Sequence, residues 1–193
     1  RISSRRWPAR TRPPTSRSSR RRIYMHVRKA VLPDALAIHG LIFEYARHGT
    51  LLPRSLQELS ENIRDFTVVE NRGRVLGCGA LHIYGMHLAE IRSIAVWPQD
   101  RGRGAGRVLI DGLLAEAREH RIPCVCLFTR APKFFAHLGF KKVRMERIPE
   151  KVYKDCRFCR NRKECDEVAM IRGRLPKTLL EEQAGHRAAR AGK

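Results

Sequence analysis

The fold of this chain is decided by one stretch of sequence, Val96-Trp-Pro-Gln-Asp-Arg101-Gly-Arg-Gly104-Ala-Gly106. It follows a run of residues typical of a strand and opens a run typical of a helix. Glycines let backbone N–H groups approach a ligand, and a helix N-terminus adds a positive dipole, so such a turn attracts anions. Because Arg101, Arg103 and Arg107 add side-chain charge, the turn predicts a pyrophosphate site.

Two common phosphate-binding loops do not fit this turn. A Walker A loop requires Gly-Lys-Ser/Thr, which the sequence lacks. The dinucleotide fingerprint Gly-x-Gly-x-x-Gly, counted from Gly102, would place its third glycine at Arg107, and no acidic residue closes a following strand. The spacing that fits is Arg-x-x-Gly-x-Gly, at Arg101, Gly104 and Gly106.

The residues on both sides of the turn predict alternating strands and helices. The predicted helices begin at Pro33-Asp34, at the capping box Ser55-Leu-Gln-Glu58, after the glycine turn and at Phe134. The predicted strands cover residues 26–30, 66–70, 75–84, 90–96, 124–129, 141–144 and 167–172. This order predicts an α/β fold in which helices pack on a mixed sheet.

The turn and its flanks together resemble the GNAT superfamily of acetyl-CoA-dependent N-acetyltransferases, whose pyrophosphate loop has the form Arg-x-x-Gly-x-Gly. Ser93-Ile-Ala-Val96-Trp-Pro is similar to the central strand of that family. Ala131-Pro-Lys-Phe-Phe135-Ala-His-Leu-Gly139-Phe140 is similar to its late helix and strand. The resemblance spans about 26–172 and implies the GNAT fold, with a mixed, mostly antiparallel central sheet and flanking helices.

The resemblance implies that an amine attacks the thioester of acetyl-CoA directly. Pantetheine would lie where the strand carrying Ile94–Val96 splays from strand 124–129, and a main-chain N–H near Val96 would stabilise the oxyanion. Many family members carry a tyrosine in the late helix that protonates the leaving thiolate, but this chain has Phe134-Phe135. Water, Tyr84, Tyr153 or an unassisted departure remain as alternatives. The residues implied to bind the coenzyme are Ile94, Ala95, Val96, Arg101, Gly102, Arg103, Gly104, Ala105, Gly106 and Phe135.

Further stretches resemble one subgroup, the amino-acid acetyltransferases that make N-acetylglutamate for arginine biosynthesis. They are Leu51-Leu-Pro-Arg54-Ser, Phe66-Thr-Val-Val-Glu70, Leu76-Gly-Cys-Gly-Ala-Leu81 and Ala89-Glu-Ile-Arg92-Ser-Ile-Ala-Val96. The resemblance implies a stand-alone acetyltransferase domain, without the amino-acid-kinase domain of the full enzymes. It makes L-glutamate the expected acceptor.

Three residues are candidates for handling this acceptor. Arg54 and Arg92 are suited to grip its two carboxylates, because a guanidinium binds a carboxylate through two parallel hydrogen bonds; the alternative for each is an exposed surface arginine. Glu90 occupies a position where GNAT enzymes often place a general base, and its alternative is a solvated or ion-paired residue at a strand end. In a regular strand Glu90, Arg92, Ile94 and Val96 share one face, which a bulge would disrupt.

The cysteines form two groups. Cys156, Cys159 and Cys165 have the spacing C-x2-C-x5-C, and the first pair is typical of a metal knuckle. A closed zinc site needs a fourth ligand, so redox-sensitive thiols and plain structural cysteines stay open as alternatives, and no metal site is assigned. Cys78, Cys124 and Cys126 lie in predicted core strands and are interpreted as small buried hydrophobic residues.

Charge and composition set the domain organisation. The net charge is +21, yet residues 1–22 contain nine Arg and no acidic residue. We expect a basic tail at residues 1–24, an acetyltransferase domain at 25–172 and a C-terminal tail at 173–193. The first tail is interpreted as a transit peptide, a nucleic-acid-binding arm or a segment that is not native. The sequence shows no run of 18 apolar residues and no signal peptide, which predicts a cytoplasmic protein without a membrane span.

Three functions remain in competition on the sequence alone. The first is an amino-acid N-acetyltransferase with acetyl-CoA as co-substrate, and GNAT domains often form homodimers. The second is a GNAT acetyltransferase acting on another small-molecule or protein amine; a cationic acceptor would favour an acidic cleft, whereas this domain is basic. The third is a non-enzymatic nucleic-acid-binding protein, but the excess charge lies largely in the tails and no aromatic-rich RNA motif is present.

Overall fold

The structure, a computed structural model, describes residues 24–159 and 164–175. Nearly all of the predicted basic tail 1–24, and the C-terminal tail after Leu175, lie outside the described residues. The strands are β1 (His26–Lys29), β2 (Phe66–Asn71), β3 (Arg74–Gly85), β4 (Leu88–Val96), β5 (Cys124–Thr129), β6 (Lys141–Lys142) and β7 (Val168–Gly173). The helices are α1 (Ala35–Ala46), α2 (Leu56–Glu61), α3 (Ala105–Glu119), α4 (Pro132–Ala136) and α5 (Pro149–Lys154).

The described strands form one sheet in the order β1-β2-β3-β4-β5-β7-β6. Only the β4–β5 pair is parallel, and the other neighbours are antiparallel. The predicted mixed, mostly antiparallel sheet is therefore confirmed. In the part of the chain that the structure describes, no helix is long and apolar enough to cross a membrane.

Strands β4 and β5 separate after a short parallel contact. The register pairs Ala89 with Val125 and Glu90 with Cys126, and the pairing of these strands ends there. Beyond it, β5 pairs on its other side with β7 as far as Thr129. A gap therefore opens beside the C-terminal half of β4, as the family resemblance implied.

A bulge in β4 changes which residues share a face. Cys78 pairs with Ala95 and Ala80 with Arg92, so Gly79 faces two residues of β4. One of them, Ser93, has a φ of 54°, which is uncommon for a residue with a side chain. A bulge of this kind re-aims the side chains that follow it.

The bulge disrupts the common face that Glu90, Arg92, Ile94 and Val96 would share in a regular strand. Glu90 and Arg92 precede the bulge and keep one face. Ile94 and Val96 follow it and pack against the other face, in the cluster that contains Leu109 of α3. The extra residue of the bulge is the physical reason for the change, because it shifts the alternation of side chains by one position.

Two helical layers cover the sheet unequally. On one face, α3 buries a continuous apolar stripe that includes Leu109, Leu113 and Ala117. On the other face, α1 and α2 cover the half of the sheet formed by β1 to β4. A smaller apolar cluster around Cys126 and Ile148 covers the β5–β7 half, next to α5. The space between these two parts of the second face is open and has Glu90 and Arg92 at its floor.

The main difference between sequence and structure lies after α4. Strand β6 is shorter than the predicted 141–144, and α5 was not predicted. Pro149 in the first turn is a typical helix start, but the helix has only six residues and no apolar stripe that periodicity could detect.

Candidate active site

The predicted pyrophosphate loop is an exposed turn at the N-terminus of α3. Gly102 and Gly104 have φ values of 73° and 91°, a conformation that glycine adopts without strain. Gly104 caps α3 and accepts its first helical hydrogen bond, from Val108. Ala105 is buried behind the turn, whereas Arg101 and Arg103 are exposed. The backbone and charges that an anion site requires therefore lie together.

A buried carboxylate anchors the start of this loop. Asp100 is 3% exposed and accepts a hydrogen bond of 2.8 Å from Arg74 on β3. Arg103 lies 3.7 Å from the same oxygen. Because the carboxylate neutralises cations on both sides, it fixes the loop against the sheet while leaving much of Arg103 exposed.

The backbone of Val96 faces the gap beside β4. Trp97 N–H donates to Leu76 O at 2.9 Å, and Val96 pairs with Gly77. Since backbone groups in an antiparallel pair alternate in direction, the N–H and C=O of Val96 point away from β3. The Val96 carbonyl accepts from the Tyr45 hydroxyl, and Arg101 Nε donates to that hydroxyl at 3.0 Å. The oxyanion role of Val96 stays a prediction.

The aromatic pair in α4 differs in accessibility. Phe135 is 5% exposed and packs edge-on against Phe140 in the core. Phe134 is 40% exposed, and its ring tip would lie 3.5 Å from a Cβ placed on Gly106. This difference in burial favours Phe134 over Phe135 as the ring beside the predicted pyrophosphate loop. The contact of Phe135 with the coenzyme stays a prediction.

A cleft of about 590 Å³ opens between the α1–α2 segment and α5. We call it the acceptor cleft. Such a volume is within the range of small-molecule sites. Its charged lining residues are Arg54, Glu90, Arg92, Arg130, Lys151 and Glu167, and Ser93, Phe128, Cys159 and Cys165 also line it. The structure therefore brings together the three candidates Arg54, Glu90 and Arg92, which are far apart in sequence.

Glu90 lies at the floor of this cleft inside a network of paired groups. It is 2% exposed; Lys151 Nζ lies 2.7 Å from Oε1, and Tyr84 donates to Oε2 at 2.7 Å. Burial lowers the pKa of Lys151, but its pairing with Glu90 and Asp155 outweighs this and raises the pKa above its ordinary value. These contacts agree with the alternative interpretation, in which Glu90 is an ion-paired residue. Its position at the floor of the cleft also allows it to accept a proton from a bound acceptor.

The two tyrosines considered for thiolate protonation differ in environment. Burial and the neighbouring Glu90 raise the pKa of Tyr84, whose hydroxyl already donates to that carboxylate. Tyr153 on α5 is 70% exposed and is not among the residues that line the acceptor cleft. The environments of Tyr84 and Tyr153 therefore do not favour either residue as the group that protonates the leaving thiolate.

The arginines of the cleft are held by protein groups. Arg54 donates to Ser93 Oγ at 3.1 Å and also pairs with Glu58. Arg92 contacts His82 Nδ1 at 3.1 Å and lies 3.8 Å from Asp155. These contacts orient each guanidinium and leave further N–H donors for a ligand, because a guanidinium carries five.

The cysteine predictions have different outcomes. Cys78, Cys124 and Cys126 are buried, and burial raises the pKa of Cys78 to about 12 and of Cys124 to about 11. Cys159 and Cys165 line the acceptor cleft beside Cys156. Across residues 24–159 and 164–175, no group of three or more His, Cys, Asp or Glu side chains is arranged to hold a metal ion.

Sequence reasoning missed three contributors to the site. They are Tyr45 on α1, Lys151 on α5 and Glu167 directly before β7. Pro149 was the available signal for α5, which carries Lys151. No local pattern reveals that Tyr45 reaches the backbone of Val96 across 51 residues.

Comparisons with known proteins agree with this geometry. Residues 62–142 match the acetyltransferase (GNAT) domain family. The chain is 40% identical over 146 residues to an uncharacterized N-acetyltransferase of Chlorobaculum tepidum, covering 76% of this chain and 94% of that protein. The chain therefore belongs to the GNAT family of N-acetyltransferases and is an acetyl-CoA-dependent acyltransferase.

Two further similarities point to amino-acid acetyltransferases. The chain is 37% identical over 138 residues to the amino-acid acetyltransferase of Mycobacterium tuberculosis, covering 70% of this chain and 78% of that one. It is also similar to the structure of N-acetylglutamate synthase from Neisseria gonorrhoeae complexed with coenzyme A and N-acetyl-glutamate, with a TM-score of 0.71 and 28% identity. That match covers 80% of this chain and 36% of the longer Neisseria chain.

Proposed function

We propose that this enzyme acetylates the α-amino group of L-glutamate, as a cytoplasmic first step of arginine biosynthesis. The observation that carries the proposal is the charge of the acceptor cleft, which is lined by four cations (Arg54, Arg92, Arg130 and Lys151) and two carboxylates (Glu90 and Glu167). An acceptor with two carboxylates complements this excess of positive charge. The similarity to the Neisseria synthase complexed with N-acetyl-glutamate gives independent support.

In this proposal Arg54 and Arg92 bind the carboxylates of glutamate. Both line the cleft, and their existing contacts with Ser93 and His82 hold them in place. A pre-oriented guanidinium loses less freedom on binding than a mobile one, so these contacts favour affinity. Arg130 is less available, because its Nη1 donates to the carbonyls of Gly49 and Thr50 and its Nε pairs with Asp166.

Glu90 serves in the proposal as the general base. The α-ammonium group must lose a proton before its nitrogen can attack the thioester, and Glu90 receives that proton directly or through a water molecule. When the proton arrives, Lys151 keeps its second partner, Asp155, at 2.9 Å. The buried ammonium of Lys151 is therefore not left unpaired when Glu90 becomes neutral.

Acetyl-CoA, the acetyl donor, is bound in this proposal by the predicted pyrophosphate loop, which we call the donor loop, and by the gap beside β4. The loop Arg101–Gly106 holds the pyrophosphate of acetyl-CoA, and pantetheine enters the gap between β4 and β5. The Val96 N–H stabilises the oxyanion that forms when the amine attacks the thioester carbonyl. The carbon–sulfur bond then breaks, and the thiolate of CoA leaves.

A thiol-release assay across the amino acids tests the acceptor. We expect turnover of glutamate above that of neutral and basic amino acids. Arg54→Ala is expected to raise the KM for glutamate by roughly 10- to 100-fold, because a charge-assisted hydrogen bond contributes on the order of 1.5–3 kcal/mol. The KM for acetyl-CoA should stay unchanged.

Arg64→Ala is the matched control, since Arg64 is exposed and is not among the residues of the acceptor cleft. It should leave both KM values as they are. Equal turnover of many unrelated amines would contradict the glutamate assignment and favour an acetyltransferase with another acceptor. Comparable turnover after removal of residues 1–24 would exclude a role of the basic tail in the reaction.

A further inference from the structure

One carboxylate of the acceptor cleft has no role in the mechanism above. Glu167 directly precedes β7, whose first residue, Val168, pairs with Thr129 at the end of β5. Its side chain lines the cleft together with Glu90 and Lys151. Glu167 therefore stands on the β5 side of the gap that opens beside β4.

The register of the sheet places Glu167 further along the gap than Glu90. Glu90 is level with Cys126 in the parallel pair, and Thr129 lies three residues further along β5. Glu167 is therefore displaced toward the end of the sheet where β4 and β5 have separated, and Glu90 is near enough to add to the rise in its pKa that burial causes. Glu167 is thus the cleft carboxylate on the side where the amine must meet the thioester.

The two carboxylates also differ in their protein partners. Both oxygens of Glu90 are engaged, by Lys151 and by Tyr84. The side chain of Glu167 forms no hydrogen bond or ion pair with any group in residues 24–159 and 164–175. Burial raises the pKa of Glu167, although nearby Arg130 and Lys151 act in the opposite direction. Among the described residues, this half-buried carboxylate therefore has nearby cations but no directly paired one.

An amino-acid acceptor brings such a partner. Its ammonium group enters a cleft whose cations repel it, and the remaining carboxylate, Glu90, is already paired. We propose that Glu167 binds the ammonium group of the acceptor amino acid. This inference rests on the proposed function for the nature of the acceptor. This ion pair gives the Glu167 carboxylate a partner of opposite charge and holds the acceptor nitrogen beside the gap. Arg54 and Arg92 hold the carboxylates of the acceptor.

Binding measurements with two ligands test this role. Calorimetry on the CoA-saturated protein compares L-glutamate with glutarate, which has the same carboxylates and no amino group. The decisive quantity is the ratio of the two Kd values. Glu167→Gln is expected to shift that ratio by about 10- to 100-fold in favour of glutarate. Arg54→Ala should weaken both ligands and leave the ratio nearly unchanged.

Matched controls make the result specific. Glu164→Gln removes the same charge from an exposed position three residues earlier and should leave the ratio as in the wild type. The Kd for CoA reports whether each variant is folded. Should Glu167→Gln lose CoA binding, the ratio is measured in Glu167→Asp, which retracts the carboxylate and should shift the ratio in the same direction.

The outcomes separate this inference from the proposed function. A ratio that is unchanged by both Glu167 variants overturns the ammonium site and leaves glutamate as the acceptor. Failure of the wild type to bind either ligand overturns the glutamate assignment and, with it, the assignment of Glu167.

Discussion

The donor loop and the acceptor cleft of this enzyme are built in opposite ways. The donor loop is one continuous stretch, Arg101–Gly106, and its backbone conformation depends on Gly102 and Gly104. The acceptor cleft draws its charged side chains from the α1–α2 segment, β4, the end of β5, α5 and the start of β7. The first site is therefore local in sequence, and the second exists only after these segments have packed.

The energetics of the two regions differ as well. The loop is exposed and offers backbone N–H groups and a helix N-terminus, which favour a bound anion. In the cleft, Glu90, Lys151, Asp155 and Arg92 are paired with one another at a partly buried position. Because a buried charge requires a partner, a change to one member affects the others. Single substitutions should therefore weaken coenzyme binding and acceptor turnover separately.

Substitution of Glu90, the base in the proposed function, should have the largest effect. Glu90→Gln is expected to lower kcat by roughly 10²- to 10⁴-fold, the usual contribution of a general base. The deficit should be greatest at low pH and shrink as the pH rises, because more of the amine then loses its proton to the solvent. A pH–rate profile measures it, and the Kd for CoA should not change.

Glu119→Gln, at the exposed C-terminal end of α3, provides the control for loss of one carboxylate. It should keep the wild-type profile. If Glu90→Gln also keeps that profile, Glu90 is not the base.

Backbone strain introduced into the donor loop at Gly104 should have an effect of intermediate size. Gly104 has a φ of 91°, and valine in that region costs on the order of 1–3 kcal/mol. The exposed loop can relieve this strain by adopting another backbone conformation. Coenzyme binding must then restore the original conformation, and this costs binding free energy. Gly104→Val should therefore weaken CoA binding in calorimetry by roughly 10- to 100-fold.

The control places the same strain elsewhere. Gly73 has a φ of 78° in the turn between β2 and β3, with open space around it, so Gly73→Val should lower stability without changing the Kd for CoA. Equal loss of CoA affinity in both variants would show that the effect is global rather than local to the loop.

A contact between α1 and the donor loop should have the smallest effect. Tyr45→Phe removes the hydroxyl that donates to Val96 O and accepts from Arg101. We expect the free energy of unfolding in urea to fall by about 0.5–1.5 kcal/mol, the net contribution of one hydrogen bond, with a small rise in the KM for acetyl-CoA. Tyr153→Phe, at an exposed position, should change neither quantity.

The elements close to the loop could be predicted from sequence. β4, α3 and β5 have strong apolar patterns, and the observed bounds differ from the predicted ones by at most a few residues. The six-residue helix α5 escaped because its sequence is polar and its position depends on packing against the β5–β7 half of the sheet. Ser93 escaped because its left-handed conformation belongs to a bulge set by the pairing with β3.

The amino-acid sequence by itself determined where the predicted pyrophosphate loop lies, since the glycines of a turn between a strand and a helix are neighbours along the chain. It also supplied the individual acceptor candidates Arg54, Glu90 and Arg92. Only the tertiary structure decided that Lys151 pairs with Glu90 and that Glu167 lines the same cleft. The physical reason is that charges act through space over a few ångströms, and Glu90 and Lys151 are brought to that range only by the folding of a sheet whose strands β4 and β5 then part.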